Sequence, residues 1–75
     1  MIAAHIEDIA LASYEAGQIR AANWVGLIPV PIPEIYIRQV IKEAMAFSGN
    51  YDRMHRSLAV DSFCQGFIDT FSVDA

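Results

Sequence analysis

A chain of 75 residues with one cysteine makes a single domain, residues 1–75, that buries only about 60% of the surface its unfolded form exposes, and it has no disulfide to make up the difference. Two histidines fifty positions apart and that lone cysteine give no zinc-ligand spacing, so association with another chain is the remaining source of stability, and a composition 55% apolar and 19% charged suits it. A net charge of −4 and a pI near 4.8 argue against a general affinity for nucleic acid, which needs lysines and arginines to replace counterions.

The first residues, Met1 to Asp8, lack a basic region and set Glu7 and Asp8 where a signal peptide would be apolar. The longest uncharged run, Ala21 to Pro33, falls short of the roughly 20 residues that span a bilayer and is interrupted by prolines. A cytoplasmic protein without membrane association is the expectation. From Ile2 to about Trp24, residues Ile2, Ile6, Ile9, Ser13, Gly17 and Trp24 fall on one stripe of a helix, with His5, Asp8, Ala12 and Glu15 opposite. The stripe narrows at Ser13, Ala16 and Gly17, where another backbone can come close. Gly17 costs about 1 kcal/mol relative to alanine in a helix interior; close packing would offset that cost, and a kink is the alternative.

Between Asn23 and Pro33 the chain cannot be helical. Pro29, Pro31 and Pro33 each lack an amide donor and push Ile28, Val30 and Ile32 toward extended or polyproline backbone. In an extended chain those three apolar residues line one face and the prolines the other. Both faces are apolar, so the ribbon calls for cover: the chain's own helices on both sides, or helices on one side and a partner on the other. The prolines have neither PxxP spacing nor the flanking arginine that proline-reading domains use. Trp24 and Tyr36 flank the ribbon, and Trp24, Ile28, Val30, Ile32 and Tyr36 form the patch through which contact with another protein or a second copy is expected.

A second helix starts at Pro33 and Glu34, where a missing donor does no harm and a carboxylate meets the positive end of the helix dipole. Ile37, Val40, Ile41, Ala44 and Phe47 form its buried stripe, widened by Met45 and Ala46, and Arg38, Lys42 and Glu43 its wet side; Gly49 ends it and Asn50 can cap the next segment. The last stretch, Tyr51 to Phe71, has Tyr51, Met54 and Leu58 on one face and Val60, Phe63, Cys64, Phe67 and Phe71 on another. The shift between Leu58 and Val60 argues for a break there, with Asp61 capping a fourth helix; an unbroken helix with a wide apolar girdle is the alternative.

The segment Gly49 to Asp61 resembles the first helix and turn of a helix-turn-helix, as in the Fis or Mor groups of DNA-binding proteins. Leu58, Ala59, Val60 and Asp61 stand where those groups show an apolar, a small, an apolar and a capping residue. The resemblance implies an apolar residue near Gln65 and basic or polar side chains along a groove-reading helix. This chain has Phe63, Cys64, Gly66, Phe67, Asp69 and Phe71 instead, with no lysine or arginine to contact phosphates.

Cys64 and His55, with Asp61 or Asp69 as orienting acid, are the residue types of nucleophilic catalysis. Cys64 nevertheless shares a stripe with Val60, Phe67 and Phe71, where a free cysteine is a small buried hydrophobe. No phosphate loop, paired-carboxylate motif or nucleotide fingerprint is present, and the four glycines are scattered singly. No cofactor and no metal are expected. The sequence therefore points to an all-α domain, a small bundle of three helices, four if the last breaks near Val60, with an extended Pro-rich crossing segment between the first and second. It points to a symmetric homodimer and to a non-enzymatic regulatory or inhibitory role by protein–protein association, in kind like a phage or mobile-element accessory factor. The alternatives are a transcriptional regulator with a reduced helix-turn-helix at 50–71, and an anionic-ligand binder using Tyr14, Arg20 and Arg38 at a helix or dimer seam.

Overall fold

The computed structural model describes residues 5–74, with side chains described as far as Phe71. It is an all-α bundle of three helices: α1 (Ile6–Trp24), α2 (Glu34–Ser48) and α3 (Arg56–Asp74), with a single 3₁₀ turn at Arg53–His55 and no strand among the described residues. The non-helical proline segment lies between α1 and α2, as expected.

α1 begins with Glu7 and Asp8 in its first turn, where acids meet the exposed amides. It ends at Trp24: the Val25 amide bonds back to the Ala21 carbonyl, and Gly26 comes next at φ 83°, the left-handed conformation that glycine reaches without a Cβ penalty. Its buried residues, Ile9, Ser13, Gly17 and Ala21, recur every four positions, so the inward line runs along the small side chains. Ile6, placed on the stripe by the sequence, is exposed instead, and Ile2 lies outside the described residues.

That line of small residues lets α1 and α3 touch backbone to backbone. A Cβ built on Gly17 would penetrate the Phe63 carbonyl and stand 2.9 Å from the Phe67 amide nitrogen; a Cβ on Gly66 would penetrate the Tyr14 carbonyl. Each glycine thus accommodates the main chain of the other helix, and close packing accounts for Gly17. Ser13 sits fully buried in the same seam, its hydroxyl without a hydrogen-bond partner.

α3 is continuous from Arg56 to Asp74, with no break near Val60. Asp61 is an exposed residue inside the helix and caps nothing. The shift in apolar face has a different cause: α3 is the central element, with α1 packed on one side and α2 on another, while α1 and α2 barely touch. Gly66 faces α1, whereas Cys64 and Phe67 stand beside Val40 of α2, so a wide girdle is what this position requires. Tyr51 to His55 precede the helix and include the 3₁₀ turn, which removes the face assigned to Tyr51, Met54 and Leu58; Met54 is exposed. The turn that a helix-turn-helix needs at Leu58–Asp61 is therefore absent.

α2 starts where expected, with the Pro33 carbonyl accepting the Tyr36 and Ile37 amides. At its end Gly49 remains right-handed at φ −62°, and the last carbonyls are taken by a tightened turn. Asn50 donates its side-chain amide to the Phe47 carbonyl at 2.9 Å, so it caps α2 rather than the segment after it. The core gathers Ala21, Ile28, Val40, Ala44, Phe63, Phe67 and Phe71, with Phe67 stacked on Phe71 at 5.4 Å and Trp24 edge-on to Phe67 at 5.7 Å. The radius of gyration, 12.7 Å, exceeds the roughly 11 Å usual for this length, because the bundle is elongated, 43 Å along its longest axis against 20 and 14 Å across it.

Substitutions in the α1–α3 seam have opposite expected signs. Gly17→Ala or Gly66→Ala forces the helices apart and lowers stability by about 1–3 kcal/mol or more. Ser13→Ala removes an unpaired buried hydroxyl and leaves stability unchanged or raises it by up to about 1 kcal/mol. Urea denaturation tracked by circular dichroism separates the two outcomes.

Candidate interaction surface

On the open flank a trench of about 280 Å³ runs between α2 and α3, lined by Ile32, Ile37, Val40, Ile41, Cys64, Phe67 and Ile68. None of these side chains carries a charge, and the Cys64 thiol is the one polar group among them. Val40 and Phe67 form the buried floor, while Ile37, Ile41 and Ile68 remain 45%, 44% and 54% exposed. Past Ile41, Met45 continues the α2 wall beside Val60 and Asp61 of α3. Ile37 and Ile41 at one end stand with Cys64 and Ile68, and Met45 at the other stands with Val60, so the two helices run antiparallel.

The sequence assigns Ile37 and Ile41 to the buried stripe of α2, a place that the structure gives only to Val40, Ala44 and Ser48. A helix with one neighbour buries a narrow line, and the flanking isoleucines become trench walls. Ile68 is a residue that sequence reasoning misses. The excess of apolar residues on both α2 and the last helix, beyond what one packing stripe uses, is the signal that could have found it.

The five residues of the expected patch are divided. Ile28 is buried at 8% exposure whereas Val30 is 63% exposed, so they do not share a face with Ile32, which turns into the trench. The segment bends repeatedly instead of running extended, and the two-residue alternation is lost. Trp24 is half-buried between Phe67 and Tyr36, with the Arg20 guanidinium over its ring at 5.8 Å. Tyr36 is on the border of exposure.

The polar side chains proposed for an anionic ligand each have a carboxylate already. The Tyr14 hydroxyl donates to Asp69 Oδ2 at 2.6 Å, Arg20 pairs with Glu43, and Arg38 pairs with Glu34 at 2.8 Å. Asp69 also accepts from Gln65 Nε2 at 2.6 Å. The bond to Asp69 raises the Tyr14 phenol above its ordinary value of 10.0. Glu43 brings with it a second hollow of about 490 Å³ between α1 and α2, whose walls include Ile19, Phe47 and Phe63. Burial, and the negative charge of Asp61, push the Cys64 thiol above its ordinary 9.0, the opposite of what an activated nucleophile requires.

Among the described residues no cluster of three metal-ligating side chains occurs, and no helix is long and apolar enough to cross a membrane. No protein-family model, curated protein or solved structure matches the chain.

These environments imply two titrations. Tyr14 keeps its proton longer in the folded state, so the stability from its bond to Asp69 is complete below pH about 10 and is lost as pH rises through the raised folded value. Urea midpoints should therefore fall more steeply above pH about 10 for the native chain than for Tyr14→Phe. Cys64 should alkylate more slowly than glutathione at neutral pH, as monitored by mass spectrometry, and faster once the fold is removed by urea.

Proposed function

We propose that the protein acts by protein–protein association through the trench between α2 and α3, with another protein or a second copy of itself, in a regulatory or inhibitory role carried out in the cytoplasm without chemistry of its own. The observation that supports this reading is the set of isoleucines, Ile37, Ile41 and Ile68, held half-exposed around a concave apolar floor. A short domain gains little by leaving such a surface in water: covering a large aliphatic side chain completely contributes on the order of 1.5–3 kcal/mol. Concave apolar surfaces with a charged border are also how folded domains receive helices and loops of partners. The trench takes over from the proline segment as the principal contact surface, with Ile32 the residue common to both.

A photo-crosslinking side chain placed at Ile41 in cells of the native host tests the proposal against the same probe at Glu7, on the exposed first turn of α1. A discrete protein adduct, self or foreign, is expected at position 41, absent at position 7 and lost when Ile68→Asp is added. Equal labelling at both positions, or none at position 41, refutes the assignment.

A further inference from the structure

Two charges that have no ion-pair partner among the described residues flank the trench on opposite rims. Lys42 lies on α2 next to Ile41 and Met45, and Asp61 lies on α3 in a hollow shared with Met45, Val60 and Arg56, whose Nε donates to the Tyr51 carbonyl. The ion pairs within the described residues are Arg20 with Glu43 and Arg38 with Glu34. Because α2 and α3 run antiparallel, Lys42 and Asp61 stand at nearly the same height along the trench, one on each bank.

From that arrangement we infer that the occupant of the trench is a second copy of this chain, related by a two-fold axis running along the trench. The inference rests on the association reading above and names the partner. Rotation about such an axis exchanges the banks while preserving height. α2 of each protomer then lies over α3 of the other, Ile41 meets the Cys64–Ile68 bank, and Lys42 of one protomer faces Asp61 of the other. Symmetry makes this contact twice. An axis running across the trench instead reverses height and keeps each helix over its own copy. Centred near Val40 and Gln65, it brings Asp61 toward Asp69, a like-charge encounter, and Lys42 toward the Arg38–Glu34 pair rather than toward a free carboxylate. The rim charges thus select one self-complementary docking and oppose the other, while the apolar banks supply the attraction.

The trench walls extend only from Ile37 to Met45 on α2, about 12 Å at the helical rise, so the interface belongs to the small end of the size range, where association is weak. Sedimentation velocity of the full chain across the micromolar to submillimolar range is the test. The native chain is expected to move from 8.3 kDa toward twice that mass. Ile41→Asp should remain a monomer with unchanged circular dichroism. Lys42→Asp and Asp61→Lys, both exposed positions, should each weaken dimerisation by roughly tenfold, and the double exchange should restore it to near the native value.

A native chain that stays monomeric throughout overturns the inference, as does a dimer indifferent to Ile41→Asp or a double exchange no tighter than the single variants. If the monomeric chain still crosslinks a foreign protein at position 41, only the identity of the occupant is refuted. If it crosslinks nothing, the association reading fails with it.

Discussion

The fold depends on main chain meeting main chain where α1 crosses α3. Gly17 and Gly66 are the two points at which neither helix has a side chain to hold the other away, and each gives its space to the opposite backbone. Such a contact contributes little through area, since glycine has none to bury. Its effect is positional: with the axes this close, Ala21 at zero exposure and Phe63, Phe67 and Phe71 at 3–4% become a closed core. Dispersion contacts at this density are individually small and add up only where the surfaces fit.

The position of α3 sets the character of the rest. A helix packed on two sides must be apolar around more than half its circumference, and α3 is: Gly66 is turned to α1, Phe67 and Cys64 to α2, and Ile68 to the trench. α2 has only α3 to lean on, so its inward line narrows to Val40, Ala44 and Ser48. Arg20 and Glu43 provide one polar tie between α1 and α2, next to an open hollow rather than a packed joint. The open flank and the exposed isoleucines are consequences of that asymmetry.

Much of this is legible in the chain, and the failures have a common form. Local chemistry reads directly: Pro33 and Glu34 start α2, Gly49 marks its end, and Gly17 signals a close approach. What a one-dimensional pattern does not carry is the number of neighbours an element has. Ile37 and Ile41 fit the period of a buried face equally well whether one helix or two cover it, so periodicity alone assigns them to the core. The change of face between Leu58 and Val60 looks like a break only on the assumption of a single inward stripe, whereas a central helix uses two. Likewise, grouping Ile28, Val30 and Ile32 presumes straight backbone, and the bends between them send Ile28 inward and Val30 out. Ser13 is the converse case: its place on the stripe is evident from spacing, its missing hydrogen bond is not.

The single fastening of α2 also affects how the molecule opens. Regions with few buried contacts detach at lower free energy than the whole domain unfolds, and they do so as contiguous units. Here the unit with the fewest attachments is the helix that forms one bank of the trench. A guest bound there, as proposed, would bridge both banks as a clasp and stiffen the molecule most where it is least fastened.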